Sequence, residues 1–526
     1  MTRQSLLLAT LLATTMQSAL AEQVLRRGNG AEPHTLDPQI AEGVPESNIL
    51  RDLFEGLVAE DAKAELVNGI AESWDISEDG KVYTFKLRQS QWSDGTPLTA
   101  HDFVYAWQRA VNPETGSHYA FLLYPVKNAE NIASGKEKDV STLGVKAIDD
   151  LTFEVTLENA TPYFLSMIAH NTAYPVPKHV VEKHGKEWTR KENIVSNGPF
   201  TLTDWVPNSQ LTAVKSSHYW DKDNVKLDKV IFIPSEDANS ELKRYRADEI
   251  DYTNEIPNDQ VKWIRENLGA EFKVGPYAGI YYYGFNNAHA PFKDNPKLRE
   301  ALSLAIDRQA IVEKVTGVGE TAAYNIVPAG FNGYTPYIPA YAQEDAKARL
   351  ERAKALYAEA GYSDKNPLKI NILYNTSENH KKIAIAIAAM WKQNLGVEAT
   401  MENKEWKVYL QDRREKVPTM HVFRAGWISD YQDPNTFLEL FQANSEVNDI
   451  SYNNPEFEAK LKAATTETDA AKRFELLHEA EAIVLNDYAL MPIYHYVTKH
   501  LVKPYVKGFE PNVMDHNRSK YMSIEK

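Results

Sequence analysis

Two hydrophobic periods alternate along this chain, and neither an all-helical nor an all-strand architecture accommodates both. In VYTFKLR (82–88), Tyr83, Phe85 and Leu87 alternate with Thr84, Lys86 and Arg88, the period of a half-buried strand, and LTFEVTL (151–157) repeats it. In PKLREALSLAIDRQAIVEKV (296–315) the period is that of a helix. Leu298, Leu302, Ala305, Ile306 and Val312 form one apolar stripe behind a proline suited to a first turn. Further helices are expected from about 344 to 360, stopped by Gly361 in the left-handed conformation, and over HKKIAIAIAAMWKQNLG (380–396), apolar enough to lie well buried. AAKRFELLHEAEAIVL (470–485) reads as another amphipathic helix. Helices and strands interleave through the second half, so the expected class is α/β, while 55–177 is richer in strands and turn residues and is expected to form a separate smaller unit. No repeat or low-complexity linker divides the parts, so any domains are expected to be joined by short crossovers.

Length, charge and cysteine content narrow the setting. At 526 residues the chain exceeds what one ordinary core encloses, which favours two or three domains. Its 58 Lys and Arg against 73 Asp and Glu give a net charge of −15, and such a surface disfavours nucleic acid or an anionic membrane as the main partner. The densest basic cluster, DRREK at 412–416, reads by itself as a solvated loop or helix end. Residues 1–21 have the form of an export signal: Arg3 supplies a positive charge, SLLLATLLATTM a short apolar core, and Ala19-Leu20-Ala21 a cleavage site before Glu22. That core is too short to span a bilayer, and no later stretch approaches the roughly 20 apolar residues a spanning helix needs. The absence of cysteine excludes thiol nucleophiles, thiolate metal sites, disulfides and a lipid-bearing cysteine anchor. A freely diffusing protein of a bacterial periplasm fits best, with a secreted protein as the alternative.

Motifs for catalysis are missing. No G-x-S-x-G elbow, H-E-x-x-H zinc motif or Walker-type phosphate loop occurs. Gly317-Val318-Gly319-Glu320-Thr321-Ala322 matches a dinucleotide fingerprint on paper but follows a helix instead of a strand, so it reads as a helix-terminating turn. His495 and His500, five apart in an extended segment, fall on opposite strand faces and make poor joint ligands. His380, beside the polar run Asn375-Thr376-Ser377, is placed either for recognition or merely to cap its helix. With 28 Tyr and 10 Trp, the chain is rich in flat side chains with a polar tip, which serve a core or line a closable cleft for an amphipathic ligand.

WSDGTPLTAHDFVYAW (92–107), preceded by AESWDISEDGKVYTFKLR (71–88), resembles the signature region of the periplasmic solute-binding proteins that serve peptide ABC importers. EGVPESN (42–48) with RDLFEGL (51–57), LGVKA with DDLTFEVTL (143–157), ILYNTSENHKK (372–382) and RAGWISDY (424–431) look like successive blocks of that family's oligopeptide-binding branch, in order over essentially the whole mature chain. The resemblance implies a two-lobed α/β binding-protein fold with two hinge crossovers and an extra small domain. Lobe I would comprise 22–54, 178–278 and 498–526, the extra domain 55–177, and lobe II 279–497. It implies a non-enzymatic monomer without cofactor or metal, which captures short peptides in a closed cleft and delivers them to an inner-membrane ABC peptide permease.

A receptor for many peptides must read what all peptides share, namely backbone amides and terminal charges. By the resemblance, Glu42-Gly43-Val44 and Ala425-Gly426-Trp427-Ile428 are the strands that pair with ligand backbone, and Gly426 permits close approach. Asp430 matches the anchor of the terminal ammonium. Arg424, Arg413 and His380 match groups that take the terminal carboxylate. Tyr119, His170, Tyr282, Asn375, Trp406, Trp427, Tyr494 and Tyr496 match the walls of roomy side-chain pockets.

Three departures stand out. The family's best-known members carry a cysteine pair at the positions of Gly279 and Ile428; a lysine used by some is Thr316, and a pocket glutamate is Gly284. Together with the YYYGFN and SENHKKIAIA blocks, the lost charges resemble the branch that binds murein tripeptide, L-Ala-γ-D-Glu-meso-diaminopimelate, whose extra carboxylates Arg413 or Arg414 would meet. Generic oligopeptides are the first expectation and murein tripeptide the second. An exported hydrolase or a holdase chaperone would instead require a nucleophile–base set or exposed apolar patches.

Overall fold

The computed structural model describes residues 22–331 and 333–526, and the expected export signal lies outside them. Strands run in chain order as β1 (Val24–Gly28), β2 (Ala71–Ile76), β3 (Val82–Leu87), β4 (Val145–Asp149), β5 (Thr152–Thr156), β6 (Phe200–Val206) and β7 (Gln210–Lys215). They continue as β8 (Lys229–Ile233), β9 (Phe272–Phe285), β10 (Thr321–Ala322), β11 (Lys369–Asn375), β12 (Glu398–Lys404), β13 (Val422–Ile428) and β14 (Leu490–Leu501). The helices that position the site are α1 (Val44–Leu53), α2 (Ala100–Val111), α3 (Pro296–Leu304), α4 (Ala346–Glu359), α5 (Glu378–Leu395), α6 (Trp406–Glu415), α7 (Pro455–Thr466) and α8 (Ala470–Asn486).

Three larger sheets result. One has the order β1-β8-β7-β6, with β1 and β8 parallel. A second, β2-β3-β5-β4, is antiparallel and built wholly from the strand-rich segment; Tyr83, Phe85 and Leu87 point inward as their alternation requires. The third is mixed and six-stranded, in the order β10-β14-β9-β13-β11-β12. Its two faces carry separate cores. Tyr281, Ile372 and Trp391 belong to one, with α3, α4 and α5, while Tyr282, Phe423 and Leu477 belong to the other, with α7 and α8. The strand-rich sheet has no isolated core: Phe85, Trp107 and Phe153 join Leu25, Phe54 and Phe232 in one apolar cluster.

Two long strands connect the parts. The first residues of β9, Phe272 to Pro276, pair with Leu501 to Val497 of β14, and Leu501 also accepts a hydrogen bond from the Thr253 amide at 2.9 Å. Their other halves, Ile280 to Gly284 with His495 to Leu490, lie inside the six-stranded sheet. Short paired crossovers replace a flexible linker.

Local expectations fare unevenly. The stretch 296–315 is broken: α3 ends at Leu304, and Asp307 opens a new turn by accepting from the Ala310 amide at 3.0 Å. A carboxylate free to cap a helix competes there with helix continuation. Helix α5 is amphipathic and not fully buried, since Ile383, Ile387 and Trp391 face inward while Ile385 is 47% exposed. Gly317 and Gly361 both adopt positive φ at helix ends, as a terminating turn demands.

Candidate functional site

A cavity of ≈ 340 Å³ lies between the start of α1, the strand-rich segment, the C-terminal tail and the edge of the six-stranded sheet. Glu42 and Val44 line it from α1, Tyr119 and His170 from the strand-rich segment, and Met514 to His516 from the tail. The opposite wall is Asn375, His380, Trp406, Arg413, Arg424, Gly426, Trp427, Ile428, Asp430 and Tyr496. The residues expected to contact ligand therefore meet there except Ala425, whose side chain is buried in the opposite core, Tyr282 and Tyr494. Tyr282 points through the sheet into the opposite core, edge-on to Phe441, because neighbouring strand residues alternate faces. Tyr494 is a layer behind, stacked on Tyr281 at 4.6 Å.

Strand β13 presents an open edge. It pairs with β9 along its whole length, from Val422 opposite Phe285 to Ile428 opposite Gly279. On the other side only Val422 and Phe423 pair with β11, and the Tyr409 hydroxyl caps the Arg424 carbonyl. From Ala425 to Ile428 that edge has no strand partner among the described residues. A Cβ on Gly426 would lie 2.7 Å from Tyr496 Oη and 3.2 Å from Arg424 Nη2, so any other residue here must displace those side chains. Across the cavity the expected second strand is shorter than its motif suggested. Gly43 is extended (φ −119°, ψ 162°), but Val44 already begins α1, because Pro45 suits a first helical turn.

Both ends of the cavity hold ionisable groups that the protein leaves without a counter-ion. The Asp430 side chain is 12% exposed, and its Oδ2 has no hydrogen-bond partner. His170 Nε2 stands 3.7 Å from Oδ1, too far for a hydrogen bond. Burial, helped by Arg51 and His516, pushes that imidazole down to about 3, so it is neutral and no ion pair exists. Burial correspondingly pushes the Asp430 carboxyl up to about 8. Arg424 donates to Tyr496 Oη at 2.6 Å and Asn375 Oδ1 at 3.3 Å and lies 4.8 Å above the Tyr281 ring, so none of its partners is a carboxylate. His380 lines the same end; burial first, then the charges of Arg424 and Lys499, hold it well below its ordinary value, leaving a neutral donor. Its helix is capped by Ser377 Oγ, 3.4 Å from the His380 amide, so His380 is not the cap.

The basic cluster at 412–416 is not simply solvated. Helix α6 turns Arg413 inward, where it is 13% exposed and ion-paired with Asp449, over the rings of Tyr409 and Phe423. Arg414 Nη2 is 3.4 Å from Glu42 Oε1, and its Nη1 lies 3.3 Å from His118 Nε2. Flat walls complete the cavity: Trp427 stacks on Tyr119 at 5.9 Å, and Tyr119 on His170 at 5.0 Å. The indole Nε1 groups of Trp406 and Trp427 are buried without a partner.

The departures from the family pattern have local causes. Gly279 and Ile428 are register partners, and Ile428 Cδ1 fills the space beside Gly279, so an apolar contact occupies the place of a bridge. Gly284 lies under Phe423 and Ile450, within 2.7 Å of where a Cβ would sit. Thr316 is buried and donates back to the Val312 carbonyl. Arg51, Glu236, Glu255, Asp449 and His516 also line the cavity, although no local pattern announces them. Among the described residues no cluster of His, Asp or Glu is arranged to hold a metal.

Comparison with known proteins accords with this architecture. Residues 65–449 match the family described as bacterial extracellular solute-binding proteins, family 5. The chain is 42% identical to the periplasmic oligopeptide-binding protein OppA of Escherichia coli, over 100% of this chain and 99% of that protein. It is 41% identical to YgiS of the same organism, a probable deoxycholate-binding periplasmic protein, over 96% and 94% of the two chains. The solved structure of the E. coli murein tripeptide-binding protein MppA superposes with a TM-score of 0.94 at 40% identity, covering 96% of this chain and 99% of that one. The unliganded open form of MppA, covering 96% and 98%, gives only 0.66, so the arrangement described here is the closed one. The chain belongs to the family 5 extracellular solute-binding proteins and has their two-lobed α/β fold.

Proposed function

We propose that this protein captures short peptides in the periplasm and hands them to an inner-membrane ABC peptide permease, acting as a monomer without catalysis. The observation that carries the reading is the open β13 edge from Ala425 to Ile428, flanked by the unmatched carboxylate of Asp430 and the unmatched guanidinium of Arg424. An extended chain with an ammonium at one end and a carboxylate at the other complements all three features, through strand pairing and two buried ion pairs. The pockets beside Trp406, Trp427 and Tyr119 then receive side chains. A bile acid would bring one carboxylate to Arg424 but no cation to Asp430 and no amides to the strand edge. The proposed lobes are 22–54, 178–278 and 498–526 against 279–497, with 55–177 as an extra domain, a partition supported by the paired crossovers in β9 and β14.

Murein tripeptide is the second reading, favoured by the loss of side chains at Gly284 and of a lysine at Thr316. Its additional carboxylates need additional cations. Arg413 and Arg414 are already engaged by Asp449 and Glu42, which favours ordinary peptides. Mass spectrometry of ligands released by denaturing the purified protein tests the choice. Mixed peptides are expected. A single diaminopimelate-containing species would establish the second reading, and a steroid acid would overturn both.

A further inference from the structure

We propose that the ammonium end of the cavity also recognises a carboxylate on the ligand's first residue, through Arg51. The inference rests on the peptide-binding reading and adds a substrate class to it. Arg51, in the last turn of α1, is 8% exposed and lines the cavity. Among the described residues its guanidinium makes one hydrogen bond, from Nη2 to His516 Nε2 at 2.6 Å. Since a guanidinium only donates, Nε2 accepts, and the imidazole proton sits on Nδ1, which donates to Glu60 Oε2 at 2.6 Å. Glu60 thus fixes the ring that aims Arg51, and it also faces Arg518 at 4.0 Å. Among the described residues Arg51 has no salt bridge to a carboxylate, and of Arg51 and Arg518 only Arg51 lines the cavity.

The neighbourhood of Arg51 is also the neighbourhood of Asp430. Ser47, one turn before Arg51 on α1, donates to Asn171 Oδ1 at 3.0 Å, and the adjoining His170 stands 3.7 Å from the Asp430 carboxylate, so Arg51 and Asp430 line the same end of the cavity. One end of the cavity therefore offers an acceptor for an ammonium and, beside it, a buried guanidinium with donors to spare. A peptide with a neutral first side chain satisfies Asp430 alone. A first residue that also carries a carboxylate gives Arg51 a planar, bidentate partner inside a desolvated site, where such a pair is strong. That carboxylate has two sources: the side chain of an α-linked Glu or Asp, or the free α-carboxylate of a γ-glutamyl peptide.

Calorimetric titration at pH 7 with Ala-Ala-Ala, Gln-Ala-Ala, Glu-Ala-Ala and γ-Glu-Ala-Ala tests this. At least one of the two acidic peptides is expected to bind at least tenfold more tightly than Gln-Ala-Ala, and which one identifies the source. Arg51→Met should bring that ratio to about one, and His516→Phe, which frees the guanidinium from its support, should reduce it; Arg51→Gln serves if Arg51→Met does not fold. Ala-Ala-Ala binding with no advantage for either acidic peptide overturns the role of Arg51 and leaves peptide binding standing. An advantage that survives in the Arg51 variant overturns it equally. Failure of all four peptides to bind the wild-type protein overturns the peptide reading itself.

Discussion

In the closed form without ligand the proposed anchor for the ammonium is largely protonated, so peptide binding to that form should release a proton near neutral pH. Burial holds the Asp430 carboxyl at about 8, with only Arg51 opposing. At pH 7 roughly 0.9 of the molecules then carry the proton. A bound ammonium drives the carboxyl towards its ordinary value near 4, a coupling of about 5 kcal/mol at ~1.4 kcal/mol per unit. The peptide's own amino group, ordinarily near 7.7–8.0, takes up about 0.1 proton at pH 7. The net release is therefore about 0.8 proton.

Above pH 8 the balance reverses, since Asp430 is already ionised and the peptide amine must be protonated. Net uptake of about 0.8 proton is expected at pH 9, with a crossover near pH 8 where affinity is greatest. Calorimetry in phosphate and in Tris buffer at each pH measures this directly, because the observed heat varies with buffer ionisation enthalpy in proportion to the protons exchanged. Glu42 and Glu236 also face the cavity with carboxyls raised by burial, so Asp430→Asn is the control. In that variant both the release at pH 7 and the uptake at pH 9 should fall, since neither a carboxyl to ionise nor an anion to hold the ammonium remains. Heats that do not depend on buffer at pH 7 in the wild-type protein would refute the assignment of Asp430 as a buried, protonated anchor.

Replacing Asp430 with Ala should weaken peptides with free N-termini a hundredfold or more, and N-acetylated peptides far less; equal weakening in a titration would count against it. Arg424→Gln should cost peptides with free C-termini about 2–4 kcal/mol and C-amidated peptides little, and a uniform loss would remove Arg424 as the carboxylate partner. Gly426→Val places a side chain against Tyr496 Oη and Arg424, so binding should fall at least tenfold while the melting temperature moves only a few degrees; undiminished binding would mean that the β13 edge does not pair with ligand. Arg413→Ala strands Asp449 as a buried charge and should destabilise the fold by about 3–5 kcal/mol in urea denaturation, with Asp449→Ala in the same chain restoring part of it.

The legible parts of this chain are those in which a short window contains its own cause. Tyr83, Phe85 and Leu87 reveal a strand because its faces alternate within six residues, and Ser377 and Gly396 bound α5 within one helix. RAGWISDY holds the open edge of β13, a glycine beside Tyr496 and a buried carboxyl together, so Gly426 and Asp430 are readable as lining one cavity. Strand alternation itself could have warned against Tyr282, which faces away from Tyr281 and Arg424. Partners distant in sequence leave no such trace. Nothing within DRREK shows that Asp449 will bury Arg413, and nothing within RDLFEGL shows that Arg51 will meet His516, 465 residues later. The break at Asp307 was hidden because a continuous apolar stripe and a capping carboxylate coexist in the same window.

The charges proposed to recognise a ligand also bear on when the cleft closes. Closure joins the N-terminus of α5 to the loop before residue 260. Asn379 Nδ2 donates to Glu255 Oε1 at 2.8 Å and to the Ile256 carbonyl at 3.2 Å, Asn379 Oδ1 accepts from the Asn258 amide at 3.2 Å, and Lys382 meets Asp259 at 3.1 Å. Each such contact is worth about 1 kcal/mol net or less, so the set contributes roughly 3–4 kcal/mol. Against it stands the removal of Arg424 from water without an anion, at several kcal/mol, and the protonation of Asp430 that burial imposes near neutral pH. These latches offset part of that cost. A bound ammonium and carboxylate remove the penalty at both ends at once, and they do so only in the closed form, where both ion pairs are shielded. The ligand's differential affinity for the closed state is therefore concentrated in its two terminal charges, while the amides along β13 supply contacts that every peptide shares. A peptide blocked at both ends would keep the shared contacts and lose most of the force for closure.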